Sequence, residues 1–541
     1  MRPAILLLGL LPLLPLGAQS PAGTFVPAEV CSDCHSRLYP PGVEPNWKGM
    51  GIVHRGEAAT PVDPRSVAPA ALWPASMMAH AAIDPYWQAK VRYEAAETPA
   101  AAAVIENTCL SCHAPMQQYD RRGGSGLRLA ELDAAGREGV SCTVCHQIEP
   151  ASLGKPESIS AGFRINTRRE IYGPHENPFP MPMRMHTGRT PTHSAHMLQS
   201  ELCGTCHTLV TPVLDATGQK TGEFLEQATY LEWAASLYPK SGRSCQSCHL
   251  PLLADGEGKP VRQYIAHTPH GGYFGPIRPR EPFGQHTFGA ANVQMARMLA
   301  DLNPGKAEIL GLAANRARRM LEEGLGLELT AVRRGMVVEA EVRVVNAAGH
   351  KFPSGFPSRR LWLHLKARDA AGAIRFESGA WNPATGEIRS LEGRAGAAME
   401  PHHARITRPD QTQIYEAEMA APGGAATASL LRAGRWSKDN RLLPLGFAES
   451  EGARHSLSPV GVTDDADFRA GGDTVVYQIP AGPDGGARWT IEVEALYQSI
   501  KPAHTRLFDA GRSREEAAFL KVFAGERRAP VVVARRSVTV D

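Results

Sequence analysis

All ten cysteines of this 541-residue chain fall in five copies of one pattern, Cys-x-x-Cys-His, and none is left over. The copies are CSDCH (31–35), CLSCH (109–113), CTVCH (142–146), CGTCH (203–207) and CQSCH (245–249). With 10 Cys and 20 His in the chain, random placement gives about 0.007 such motifs, so the five share one purpose. On a helical turn, cysteines three apart lie on one face, and the next residue swings its imidazole to the same side. Whatever this chain folds into must therefore present five sets of two thiols and one imidazole to something large enough to need all three.

Two thioether bonds can hold a porphyrin while the histidine ligates its iron, which is the c-type haem attachment pattern. A disulfide reading gives no reason for histidine to follow every pair. Zinc sites draw four ligands from two separated clusters, whereas here each histidine touches its own pair. A thioredoxin-like redox pair is expected once, beside a βαβ pattern. The chain is therefore expected to carry five covalent haem c groups. Their thioether residues are Cys31, Cys34, Cys109, Cys112, Cys142, Cys145, Cys203, Cys206, Cys245 and Cys248, and their proximal ligands are His35, His113, His146, His207 and His249.

The second axial ligand decides what each haem can do: two strong ligands restrict it to passing electrons, while an open position binds small molecules. Histidines outside the triplets outnumber the need, which favours bis-histidine ligation. The candidates are His54, His80 in SMMAHAAIDPYW, His175 in the rigid loop after Pro174, His196 ahead of the fourth triplet, and His286 at a helix start. His193 stands three residues before His196 and is interchangeable with it on sequence grounds. In MPMRMH (181–186) the thioethers suit either copper(I) or packing around porphyrin, and the second is the plainer reading. Every triplet ends in histidine, so no proximal ligand marks one haem as catalytic.

The N-terminus, MRPAILLLGLLPLLPLGAQSPAG, reads as a secretory signal over residues 1–23: one basic residue, a short apolar run and small residues. Its apolar run is too short to span a bilayer, which takes about 20 residues. We expect a secreted protein without a membrane span, in the periplasm, with the extracellular space or cell surface as alternatives. The fold class expected is multidomain: a mainly α/irregular multihaem cytochrome c domain over 24–303, a connecting helix over 304–324, and an all-β (immunoglobulin/fibronectin-like) sandwich over 325–541. The sandwich rests on alternating β-branched runs at 327–346, 360–378, 411–420, 473–479, 488–496 and 529–540. The loop VTDDADFRAGGD (462–473) misses the spacing of a dedicated calcium loop and reads as a solvated acidic turn. Neither a Ser-His-Asp elbow nor a phosphate-binding glycine loop is present. The formal charge of +3 gives nucleic-acid binding no support, the more so because each ferric bis-histidine haem with ionised propionates adds about −1.

At the triplets, together with SMMAHAA, YGPHENPFPMPM, CGTCHTL, FLEQATYLEW and SCQSCHLP, the chain resembles secreted bacterial multihaem cytochromes c related to the cytochrome c554 group. In NAAGHKFPSGFPSRRLWLHLKARDAAG (346–372) the resemblance implies a Gly-His-x-x-Pro loop that presents its histidine to a haem, which adds His350 to the distal candidates. Pentahaem nitrite reductases are similar in haem number but carry a lysine-ending triplet, and this chain departs from that pattern. The function expected is an electron carrier between redox partner proteins or other cytochromes. Two alternatives stand: a haem reductase or oxidase acting on a small nitrogen, sulfur or oxygen species at one five-coordinate haem, and a homo-oligomeric subunit of a conducting filament.

Overall fold

All five triplets start in short helices, which hold the first, second and fifth whole but stop at Cys145 in the third and at Gly204 in the fourth. In this computed structural model, which describes residues 23–40, 42–44, 65–121, 126–392, 399–482 and 488–541, they are α1 (Ala28–His35), α3 (Ala102–His113), α4 (Cys142–Cys145), α6 (Glu201–Gly204) and α7 (Cys245–His249). Nearly all of the expected signal segment and the candidate His54 lie outside the described residues. Between α1 and α3 runs α2 (Pro85–Glu97). Asp84 caps it by accepting from the Tyr86 and Trp87 backbone N–H groups, and Pro85 occupies the first turn, where a missing N–H costs nothing. The helix α5 (Met181–Thr187) stops at Gly188, whose φ of 67° is the left-handed conformation that glycine tolerates best. Gly204 in α6 is needed for a different reason: a Cβ there would meet the Tyr230 ring at 2.7 Å, so only glycine lets the fourth triplet lie flat on that ring.

Two small strand pairs interrupt the helices: parallel β1 (Glu170–Gly173) with β2 (Thr190–His193), and the antiparallel hairpin β3 (Leu209–Leu214) with β4 (Lys220–Gln227). The apolar side chains of this half form several separate small clusters, such as Phe25, Met116, Val144 and Phe163, or Leu110, Leu127, Leu129 and Leu132. Among the described residues no single large core joins them. They are the backing of a wall.

The expected connecting helix is α9 (Ala307–Gly324), packed on α8 (Val293–Leu302) and running directly into β5 (Leu325–Arg334). Beyond it come β6 (Val337–Asn346), β7 (Arg360–Arg368), β8 (Ile374–Ser378), β9 (Arg405–Ile406), β10 (Ile414–Ala420), β11 (Ala426–Thr427), β12 (Arg435–Asp439), β13 (Gly472–Pro480), β14 (Trp489–Gln498) and β15 (Val531–Val540). One sheet runs β5-β6-β13-β9; the other runs β11-β10-β7-β14-β15, with β12 on β10 and β8 on β7. Burial alternates along β6 and β13, so one face of each is apolar. Those faces, with Leu361, Leu363, Leu365, Ile491, Val493 and Tyr497 of the other sheet and Val293, Ala296, Ala317 and Leu321 of α8 and α9, make one core. A second cluster ties the halves together: Tyr86 and Tyr93 of α2 pack with Met298 of α8 and with Phe519 of α10 (Arg514–Val522). Among the described residues no helix is long and apolar enough to cross a membrane.

The acidic loop corrects the sequence reading. Asp465 and Asp473 are 8% and 2% exposed, so the turn is not simply solvated. Their oxygens and a His402 ring nitrogen lie within 4.8 Å of one another, a spacing that a metal ion could use. Hydrogen bonds hold most of the group's atoms, leaving Asp473 Oδ1 buried without a partner. The Gln413 and Asn440 amides both donate to His402 Nδ1, at 2.8 and 3.0 Å. Neither amide can turn over, because Gln413 Oε1 accepts from the His403 N–H and Asn440 Oδ1 accepts from the Glu416 N–H. His402 therefore carries its proton on Nε2, which donates to Asp465 Oδ2 at 2.8 Å.

Asp473 accepts from the Tyr415 hydroxyl at 2.7 Å, and burial beside Asp465 and Asp467 pushes its carboxyl up to about 7. Its unfolded value is about 3.9, so folding favours the neutral form and stability falls as pH rises from about 4 to about 7. We expect Asp473→Asn to be more stable than the parent at pH 8, by up to about 4 kcal/mol, with the advantage gone at pH 4. Denaturant melts at the two pH values decide it, and a destabilised variant at pH 8 contradicts it.

Candidate cofactor cavity

One cavity of ≈ 1760 Å³ runs through the helical half and reaches the β-domain, and all ten cysteines and all five triplet histidines line it. No disulfide joins the cysteines among the described residues. Most of the remaining wall is apolar. A spread of five thiol pairs, each with its own imidazole, suits five flat apolar groups joined at two carbons and one metal; it does not suit zinc, which gathers its ligands around one point.

Contacts between thiols order the triplets in space. Cys31 of the first lies within hydrogen-bonding distance of Cys142 of the third. Cys206 of the fourth lies against Cys112 of the second, and Cys203 of the fourth against Cys245 of the fifth. Cys145 of the third is a charged-group neighbour of both Cys203 and Cys206. The first triplet thus leads through the third to the fourth, from which the second and fifth branch.

Backbone carbonyls aim four of the five proximal histidines. Nδ1 donates to the Ile265 carbonyl from His35 at 2.6 Å, to Ala81 from His113 at 2.8 Å, to Tyr172 from His146 at 2.6 Å and to Gly289 from His249 at 2.7 Å. A carbonyl only accepts, so each Nδ1 holds the proton and each Nε2 keeps its lone pair for a metal. For His207 the described residues offer no such carbonyl. Burial lowers the His35, His113 and His207 rings to about 4, and lowers His146 and His249 as well, so all five are neutral and able to ligate near pH 7. Trp87 lies flat on His113, 4.3 Å between ring centres and 7° between planes, and fixes that ring from the side.

Two of the distal candidates meet a proximal ring. His286 stands 6.2 Å from His146, ring centre to ring centre, with planes 14° apart, and His350 stands 6.5 Å from His249 with planes 16° apart. Two imidazoles on opposite faces of one metal, with bonds of about 2.0 Å and about 1.1 Å from nitrogen to ring centre, stand about 6.2 Å apart. Both distal rings also donate Nδ1 to a carbonyl, His286 to Gly284 at 3.1 Å and His350 to Lys351 at 2.9 Å. His350 comes from the loop between β6 and β7, so the β-domain itself closes the cavity.

The other candidates lie differently. His175 lines the cavity, and so does His186, which the sequence did not single out as a ligand and whose Nε2 is 2.8 Å from Asp33 Oδ2. His80 is buried away from the cavity, with Nε2 donating to the Pro74 carbonyl at 3.0 Å, so the nitrogen a metal would need is in use. His196 is also behind the wall: Ser194 is bonded to its Nδ1 at 2.6 Å and its ring meets Tyr172 edge-on at 5.1 Å, backing the residue whose carbonyl holds His146. Of the MPMRMH methionines, Met183 lines the cavity, while Met181 and Met185 face outward. The carbonyls that aim the proximal rings carry no sequence signal, being backbone. Trp87 was within reach of one: the Asp84-Pro85 helix start fixes where the next residues point.

No protein-family model and no curated protein matches the chain. Among solved structures it is similar to a penta-heme cytochrome c552 from Thermochromatium tepidum, with 18% identity, a TM-score of 0.50, and coverage of 87% of this chain and 95% of that one. At this identity the likeness is one of fold.

Proposed function

We propose that the chain is a multihaem c-type cytochrome that holds five covalent haems and relays electrons between redox partner proteins or other cytochromes. The observation that carries this reading is the convergence of ten thiols and five triplet imidazoles on one cavity wall. The cysteines would hold the porphyrins as thioethers, the triplet histidines would ligate from one side, and His286 and His350 would ligate opposite His146 and His249. Bound haem supplies a ferric/ferrous couple that takes up and releases one electron at a time. The chain's own part is to hold each imidazole neutral and aimed through its Nδ1 partner, to exclude water with the apolar wall, and to fix the spacing of the centres. The thiol contacts would make the Cys203–His207 position the node of the electron path. Export, with residues 1–23 as the leader, belongs to the same proposal. So does the division into a cytochrome domain at 24–303, a connecting helix at 304–324 and an immunoglobulin/fibronectin-like sandwich at 325–541, supported by the core that the two sheets share.

Protein made in a host that matures c-type haem is expected to give five haems per chain in a pyridine haemochrome assay. His286→Ala and His350→Ala should each convert one low-spin centre to high-spin in low-temperature electron paramagnetic resonance while the count stays at five. A folded, colourless chain overturns the proposal, and unchanged low-spin signals in both variants overturn the ligand pairing. Rapid reaction of one centre in five of the parent protein with nitric oxide or cyanide would favour the reductase alternative.

A further inference from the structure

Glu226, near the end of β4, is a carboxyl that the electron-relay reading does not use. It is 3% exposed, it lines the cavity, and its Oε2 has no hydrogen-bond partner. Its neighbours do not neutralise it. On α2, Lys90 is committed to Glu94 at 2.8 Å and donates to the Ala428 carbonyl at 2.7 Å. Glu94 in turn accepts from the Ser429 hydroxyl and the Leu430 N–H, so that pair is complete and leaves no positive charge over. On α3, Cys109 has Glu226 as its foremost charged neighbour, with Glu94 next. Tyr86 senses Glu226 as well. On the far side of the strand, Lys351, Asp439 and Arg441 border a small cleft that Glu226 also touches; the two cations are balanced by Asp439 and by Glu232, 3.1 Å from Arg441.

On the reading that the second triplet carries a haem, we propose that Glu226 is a redox-linked proton site, taking up one proton from water when the centre attached at Cys109 is reduced and releasing it on oxidation. The balance is simple. One electron arrives from a donor protein and lowers iron from ferric to ferrous; one proton leaves water and forms an O–H bond on Glu226; no other bond changes. The driving force is electrostatic. A ferric bis-ligated porphyrin core carries one positive charge, which stabilises a nearby carboxylate; the ferrous core carries none. Burial and Glu94 push Glu226 up to about 8 in a wall without that charge, with Gln227 and Lys90 opposing. The ferrous state is thus expected to hold the proton up to about pH 8, and the ferric state to release it lower. Between those limits the potential of one centre should fall as pH rises.

The test uses the haem-loaded protein and its Glu226→Gln variant. Redox-difference infrared spectroscopy of the parent should show a protonated-carboxyl C=O band that grows on reduction, and the potential of one centre should depend on pH between neutrality and about pH 8. The variant should lose both while keeping five haems in the pyridine haemochrome assay. A parent without the band, or a variant that keeps the band and the pH dependence, overturns the proposal; the parent measurement decides even if the variant does not fold. A parent without haem would instead remove the electron-relay reading on which the proposal rests.

Discussion

Produced in a host unable to attach c-type haem, this chain is expected to lose all protection over the described residues that precede α8 while the two sheets, with α8 and α9 on them, keep theirs. A cavity of ≈ 1760 Å³ is far larger than any side chain, so the wall around it lacks partner atoms on one side unless something large fills it. Water entering the cavity would relieve part of that loss but would leave the small backing clusters around Phe163 and Leu110 with nothing to pack against. The sheets stand apart from this argument because their core holds fully buried Val338, Val342, Leu361, Leu363, Val475 and Ile491 in contact with one another. Hydrogen exchange or limited proteolysis of the haem-free chain should therefore find a resistant piece beginning near α8 and nothing resistant before it. Uniform protection from α1 onward would show that the wall supports itself and would remove the main reason for giving the cavity five large occupants.

Asp439→Ala should cost about 3–5 kcal/mol. Asp439 accepts from Lys351 Nζ at 2.6 Å and from Arg441 Nε and a terminal nitrogen, both at 2.7 Å. These side chains are 8% exposed or less, and the remaining acid, Glu232, is 3.1 Å from Arg441 and accepts from the Lys351 N–H and the Ser354 hydroxyl. Removing Asp439 leaves two buried cations sharing one carboxylate. Lys351 follows His350 directly, and its carbonyl is the one that aims the His350 ring, so the damage should reach the cavity: one low-spin centre should be lost along with stability. Glu416→Ala is the control. It strips Lys438 and Lys501 of a buried partner 3.3 Å from each, so it should destabilise by a similar amount while leaving every axial signal in place. Equal spectra for the two variants would dissociate the Asp439 cluster from the cavity. The acid limb follows from the same ions: Arg441 and Lys351 hold Asp439 at about 2, below an unfolded value near 3.9, so this stability is present above about pH 4 and is lost as pH falls toward 2.

Much of the local structure was legible in the amino-acid order, although the strands β1 to β4 were not and His286 lies in the loop before α8 rather than at a helix start. Thiol spacing set the short helices at the triplets, the three-four recurrence of apolar residues set α9, and alternation set the strands from β5 to β15 apart from the short β9, β11 and β12, because each depends on residues a few positions apart. Which rings meet could be settled only by the tertiary structure. His146 finds His286 and His249 finds His350 across long stretches of chain, and no spacing rule links residues so far apart. His80 and His196 looked equally able to ligate, and packing set both behind the cavity wall, His80 with Nε2 on the Pro74 carbonyl and His196 with Nδ1 on Ser194 and Nε2 buried without a partner. The same holds for charge. A run of aspartates reads as solvated until the fold buries Asp465 and Asp473 beside His402, and Glu226 reads as one more acid on a hairpin until burial leaves it without a cation. Short-range order is written by stereochemistry and hydrogen bonding between neighbours, whereas ligand pairing and charge state follow from which distant surfaces exclude water together.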